Sequence, residues 1–254
     1  MRTFFLALAA AAATAVPALA NVACGGAFND FVSRMKVEAT ARGHSPATID
    51  GFFSGVQQDP KVIRADRAQG IFQMPFTQFA RRLISQNRID NGLRNEDRYS
   101  DVFDAIASRW GVSRGVLLAF WAFETDYGAV QGDFNTVNAL MTLSHDCRRP
   151  DLFRPQVFAA LELYERGELD PRRTTGAWAG EIGMVQMLPG DIIENGIDGD
   201  GDGTVSLKTS PPDALMSGAQ MLSSLGWRAG EPWMQEVTVP AELDWSLSGL
   251  GTCL

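Results

Sequence analysis

The stretch from Ser113 to Gly128 constrains the fold more than any other. Ser113 is a candidate N-cap, and Val116, Leu117, Phe120, Trp121 and Phe123 follow it in an apolar run. Leu117, Phe120 or Trp121, and Glu124 recur at steps of three and four, so they share one face of a helix. A helix this apolar must be covered by other elements, and its one acidic side chain is carried into that cover. An ionised carboxylate is costly to bury, so the pKa of Glu124 is expected to rise, which suits a general acid near neutral pH. Gly128 is expected to end the helix as a C′ glycine.

The N-terminus reads as a secretory leader. Met1-Arg2 precedes an apolar run from Phe4 to Val16, and Pro17-Ala18-Leu19-Ala20 offers a small-residue cleavage site. The run is too short to span a bilayer, and no later stretch is a better candidate. Asn21-Val22-Ala23 is a poor approach to a lipidated cysteine, which argues against an anchor on Cys24. Cleavage after Ala20 leaves enough of the 254 residues for one large domain or two small ones. The net charge of −8, without basic runs, argues against nucleic-acid binding. The three cysteines, Cys24, Cys147 and Cys253, permit three pairings. In an oxidising compartment two are expected to pair. Cys24 stands just before the first helix and Cys147 just after Leu143-Ser144, both in stretches that read as fixed. The expected bond is therefore Cys24–Cys147, with Cys253 left as a thiol.

Helical periodicity dominates the rest. It marks Phe28 to Arg42, Ser45-Pro46 through Phe53, Pro75 to Ile84, Tyr99 to Trp110, Asn138 to Leu143 and Pro155 to Tyr164. Gln57 to Arg67 is polar and reads as a link, and Asp170 to Thr175 as a charged loop. Glu181 to Ile193 reads as a helix with an irregular end. Pro211-Pro212 opens a helix over Asp213 to Leu225, stopped by Gly226. Gln235 to Val239 is the best strand candidate. The chain is thus mainly α, a single domain over residues 21–254 in which 27–110 form a helical subdomain.

Asp198-Gly199-Asp200-Gly201-Asp202-Gly203-Thr204-Val205-Ser206 matches the first nine positions of an EF-hand loop. Asp198, Asp200 and Asp202 supply oxygens at alternate positions, Gly203 permits the sharp turn, and Thr204 offers its carbonyl. Thr209 stands where a bidentate glutamate would close the loop, and Asp213 lies a little further on. The loop is expected to hold a structural calcium ion.

Together these stretches resemble the membrane-bound lytic transglycosylase B family of peptidoglycan-cleaving enzymes. The resemblance runs through Phe120-Trp121-Ala122-Phe123-Glu124-Thr125-Asp126-Tyr127-Gly128 and Asn138-Ala139-Leu140-Met141-Thr142-Leu143. It continues in Gly176-Ala177-Trp178-Ala179-Gly180-Glu181-Ile182-Gly183-Met184-Val185-Gln186-Met187-Leu188-Pro189, then the Asp198 loop, Ser210-Pro211-Pro212-Asp213-Ala214 and Gly226-Trp227-Arg228. It implies a goose-type lysozyme-like α fold and a monomeric periplasmic enzyme acting on peptidoglycan glycan strands. Glu124 matches the single catalytic acid, Gln186 a glutamine lining the sugar groove, and Asp213 the last calcium ligand. Tyr127 borders the site, and Trp178 is a candidate sugar-stacking residue beside Trp227 and Trp233. The implied reaction cleaves the bond between N-acetylmuramic acid and N-acetylglucosamine. The muramyl 6-hydroxyl closes a 1,6-anhydro ring in place of water, so one carboxyl serves as acid and then as base. The family often has Ser at Ala177, Tyr at Met184 and Gly at Val185. Its members continue with a segment carrying a Tyr-Asn pair and a further Tyr, which is expected to be missing where the sequence stops at Leu254. A hydrolytic muramidase and a non-catalytic peptidoglycan-binding protein are the competing readings.

Overall fold

Polar caps and buried faces together set the helix boundaries. In a computed structural model, which describes residues 23–68, 75–232 and 234–242, the chain forms helices α1 (Phe28–Ala41), α2 (Pro46–Phe53), α3 (Pro60–Arg67), α4 (Phe76–Leu83), α5 (Gln86–Arg98), α6 (Ser100–Trp110) and α7 (Arg114–Thr125). Strand β1 (Phe134–Asn135) follows, then α8 (Thr136–His145), α9 (Pro150–Glu165), strand β2 (Thr175–Gly176), α10 (Pro189–Asn195) and α11 (Pro211–Ser224). Ser45, Asp59, Ser85, Asn135 and Ser210 accept backbone N–H groups through their side chains at the starts of α2, α3, α5, α8 and α11. Ser113 stands at the N-cap of α7 in extended conformation, without a side-chain cap bond.

The core is built around α8, in which Thr136, Val137, Ala139, Leu140, Met141, Thr142, Leu143 and Ser144 are all buried. A helix apolar on every side belongs inside a domain. Helix α9 packs along it, α1 and α3 cover it from the N-terminal side, α2 packs on α1 and α9, and α10 joins α9 to α11. Helix α7 lies between α5 and α11. Its inner face buries Leu117, Leu118, Trp121, Ala122 and Thr125. The strands β1 and β2 pair antiparallel, Phe134 opposite Gly176 and Asn135 opposite Thr175. The tail from Met234 to Glu242 is irregular and exposed. Among the described residues no helix is long and apolar enough to cross a membrane.

Several local expectations are corrected. Gln57 to Arg67 is not all link, because Asp59-Pro60 starts α3, which buries only Val62 and Asp66. Helix α5 shows no apolar stripe, and Gly92 is its one buried residue. Such helices leave little periodicity to read. In Glu181 to Ile193 the helix begins only at Pro189. Residues 182–187 form a tight turn closed by a bridge between Ile182 and Met187. Gln235 to Val239 forms no strand, since among the described residues its backbone has no partner and its side chains no cover. Helix α7 ends at Thr125, with Asp126 rather than a glycine in the first left-handed position (φ 52°).

Cys24 and Cys147 are joined by a disulfide with Cα atoms 5.3 Å apart. Residues 1–20, Trp233 and Cys253 lie outside the described residues.

Candidate active site

Glu124 occupies the last turn of α7, on the side open to solvent. Its carboxyl makes no hydrogen bond or ion pair among the described residues. Burial on its flanks pushes the carboxyl above the ordinary glutamate range, and the charge of Glu181 pushes it further. An unbonded, partly desolvated carboxyl can hold a proton and release it to a bound oxygen.

The turn after Glu124 is fixed from two directions. On one side, Arg88 of α5 donates through Nε to Asp126 Oδ1 at 3.0 Å, and its carbonyl accepts from the Tyr127 hydroxyl at 2.9 Å. The Tyr127 ring stands edge-on to buried Trp121, with centroids 5.4 Å apart. Gly92 makes this approach possible, because a Cβ there would lie 2.7 Å from the Tyr127 hydroxyl oxygen. Tyr127 therefore fastens α5 to the end of α7. It also borders an open apolar cavity of about 260 Å³ between α4, α5 and α7, whose walls include Leu83, Ile89, Leu93 and Phe123. Glu124 is not among its walls.

On the other side, Thr125 Oγ1 donates to the Met184 carbonyl at 2.6 Å and accepts the Gly128 N–H at 2.9 Å. This pins the 182–187 turn against α7. Gln186, at φ 49°, donates through Nε2 to the Gly183 carbonyl at 2.7 Å and to the Gln131 carbonyl at 3.4 Å. Gln186 is thus brought to the same end of α7 as Glu124. Trp178 is half-buried against the core. Trp227 donates its indole N–H to the Gly111 carbonyl at 3.0 Å, which ties it to the start of α7.

The acidic loop is separate. One oxygen from each of Asp198, Asp200 and Asp202 lies within 4.8 Å of the others, and all three residues are exposed. Asp198 accepts the N–H groups of Gly201 at 2.7 Å, Asp202 at 3.1 Å and Gly203 at 2.9 Å. Asp202 Oδ1 accepts from the hydroxyl of Thr204 at 2.7 Å and from its N–H at 2.9 Å, which holds the Asp202 carboxyl below its usual range. Asp213 is buried and outside this trio. It accepts the N–H of Gly199 at 2.8 Å and of Ser206 at 2.7 Å, clamping both ends of the loop. Three close, uncompensated carboxylates are a hard-oxygen donor set that fits a cation such as calcium.

Glu181 and Gln131 escape the reading of site residues from sequence. Glu181 sits in the motif between Gly176 and Pro189, but only the folded chain shows that its charge acts on Glu124. Gln131 donates through Nε2 to the carbonyls of Gly128 and Lys208, both at 3.1 Å, and so braces the site from behind.

A helical, lysozyme-like domain with one unbonded acid at the end of a buried helix defines the class. The chain belongs to the Transglycosylase SLT domain family, whose model matches residues 27–253. It is 27% identical over 154 residues to membrane-bound lytic murein transglycosylase B of Escherichia coli, covering 60% of this chain and 42% of that protein. It is 34% identical to SltB3 of Pseudomonas aeruginosa, solved in complex with NAG-NAM-pentapeptide. That likeness has a TM-score of 0.81 and covers 88% of this chain and 60% of SltB3. The likeness to Escherichia coli lytic transglycosylase Slt35 in complex with calcium, at 24% identity and TM-score 0.74, covers 83% of this chain and 68% of that one and shows the fold. The chain thus spans less than two thirds of the first two relatives.

Proposed function

We propose that this domain is a lytic transglycosylase that cleaves peptidoglycan between N-acetylmuramic acid and N-acetylglucosamine. The carrying observation is the place of Glu124 in the last turn of α7, on the side open to solvent, with no hydrogen bond or ion pair to its carboxyl among the described residues, and burial on its flanks pushes that carboxyl above the usual glutamate range. Family membership and the sugar-peptide named in the SltB3 complex support the substrate. Glu124 gives its proton to the glycosidic oxygen, and the bond from that oxygen to the muramyl anomeric carbon breaks. The N-acetylglucosamine leaves with a 4-hydroxyl, and the substrate's own N-acetyl group stabilises the cation. Glu124, now a carboxylate, takes the proton of the muramyl 6-hydroxyl, whose oxygen closes the 1,6-anhydro ring. The acid is restored and no water is consumed. Gln186 and Trp178 contact the sugars, and Tyr127 borders the groove as a brace.

Calcium is assigned to Asp198, Asp200 and Asp202 with the Thr204 carbonyl, and Asp213 orders the loop beneath it. When bound, the ion supplies a fixed positive charge that stabilises this loop and takes no part in the reaction. The leader-like residues 1–20 and the disulfide support an enzyme working in the periplasm. Mass spectrometry of fragments released from purified peptidoglycan tests the reaction. Anhydro-muramyl ends are expected. Reducing ends would make the enzyme a hydrolytic muramidase, and binding without release would leave a non-catalytic wall-binding protein.

A further inference from the structure

Gln131 ties together three stretches of the site, and the reaction as written gives it no part. Both side-chain N–H donors are committed: Nε2 donates to the Gly128 carbonyl and to the Lys208 carbonyl, each at 3.1 Å. The first carbonyl ends the turn behind Glu124. The second belongs to the segment that leaves the acidic loop. Reversing the amide would set its oxygen against two carbonyl oxygens, so this network fixes its orientation. Gln131 Oε1 is buried and accepts nothing among the described residues, which costs stability. The position thus keeps its two donors at the expense of an idle acceptor.

The Lys208 segment is itself part of the site's floor. Lys208 Nζ donates to the Thr175 carbonyl at 2.6 Å, and the Leu207 carbonyl accepts the Met184 N–H at 2.8 Å. A Cβ on Gly183 would lie 2.5 Å from the Leu207 Cβ, so the 182–187 turn rests directly on this segment. On that turn stands Gln186. Its Nε2 donates inward, to the Gly183 carbonyl at 2.7 Å and to the main-chain carbonyl of Gln131 at 3.4 Å. One acceptor alone would let the amide swing about a single bond, and the second sets its plane. With both donors turned inward, Gln186 Oε1 accepts nothing among the described residues. The amide therefore meets a ligand as an acceptor.

We propose, resting on the reading of Gln186 as a sugar contact, that Gln131 is its positioning residue. The two side-chain donors of Gln131 lock the turn behind Glu124 to the floor beneath Gln186, and its carbonyl sets the Gln186 amide with Oε1 outward. An acceptor held at a fixed angle selects a sugar by an N–H or O–H it presents, so Gln131 acts on glycan affinity through Gln186.

The test is a double-mutant cycle in the full chain with calcium present. Affinity is measured by calorimetry for a tetrasaccharide of alternating N-acetylglucosamine and N-acetylmuramic acid, in a Glu124→Gln background that keeps the sugar intact. Gln131→Met keeps the length and removes the donors. Gln131→Lys keeps donors for both carbonyls and guards against a Met variant that folds poorly, which thermal melts report. Gln131→Met is expected to weaken binding on the order of tenfold, and Gln131→Lys to restore most of it. In a Gln186→Ala background, Gln131→Met is expected to have little further effect. A loss that persists in full in that background overturns the proposal and leaves Gln131 a general brace. So does a Gln131→Lys variant that folds and binds no better than Gln131→Met. Affinity unmoved by Gln131→Met, with Gln186→Ala weakening it, overturns the proposal alone. Affinity unmoved by Gln186→Ala overturns the reading of Gln186 as a sugar contact, and the proposal with it.

Discussion

At the scale of single residues, Asp126, Tyr127 and Gln186 are the non-glycine residues with positive φ among those described, at 52°, 60° and 49°, and all three frame Glu124. Such conformations cost about 1–3 kcal/mol each and persist where the surroundings over-determine them. Here Arg88 holds the first two, and Gly183 and Gln131 hold the third. The strain is concentrated where the acid must stay in place, so the acid itself adds little to stability. Glu124→Gln is therefore expected to leave the unfolding transition nearly unchanged and to lower cleavage by at least ~10²–10⁴-fold. Assaying fragment release beside a thermal melt checks both halves, and undiminished release would remove Glu124 from the mechanism. Glu124 was readable from sequence because its helix face is set by local spacing. The seat of the 182–187 turn against α7 was not, because it depends on a bond between Thr125 and Met184 that no local pattern encodes. The turn at Asp126 was misplaced because αL is a rare choice for aspartate, and glycine is the default expectation.

Most elements were legible through an apolar face. Helices α1, α2, α6, α7, α8, α9 and α11 bury such faces and were anticipated, and so was α4, although none of its residues is buried. Helices α3 and α5 rest on caps, ion pairs and a single glycine contact, and were not. Ion pairs are central to α3. Asp66 is buried there and bonded by Arg148, Nη1 to Oδ1 at 2.6 Å, and by Arg149 and Arg67. Burial alone would raise its carboxyl, but Arg148 and Arg149 outweigh that and hold it below the ordinary aspartate value of 3.8. A depressed folded pKa means stability that is present above the unfolded value and lost as pH falls through the folded one. Asp66→Asn is expected to cost about 1.5–3 kcal/mol at neutral pH. The gap should close in acid, as urea unfolding at several pH values would show. The acidic loop makes a complementary prediction. Calcium at a hundredfold excess over Kd would stabilise the fold by about 2.7 kcal/mol, and calorimetry with and without chelator reads this. Asp200→Asn with Asp202→Asn should abolish the calcium shift. Asp213→Asn should lower the melting temperature even under chelator, because Asp213 clamps the loop backbone. Identical melts with and without calcium would reduce the loop to an Asp-Gly turn.

Across the whole molecule, the disulfide joins residues 123 positions apart, with Arg34 donating to the Ala23 and Gly25 carbonyls and the Gly25 N–H donating to the His145 carbonyl beside it. A loop of this length gives up to roughly 5 kcal/mol in the chain-entropy model. Reduction is expected to lower the melting temperature by several degrees while far-ultraviolet circular dichroism keeps its helical shape, because the core around α8 does not depend on the bond. Loss of helix on reduction would mean that the bond carries the fold. The bond also gives the chain a topology that its helices do not reveal. Everything from α1 to the end of α8, the acid included, lies within one covalent ring, while Glu181, Gln186 and the acidic loop hang from it as a single tail. A protease that severs one peptide bond inside the ring therefore linearises it without releasing a piece, and such a nick would be invisible on a gel until a thiol is added.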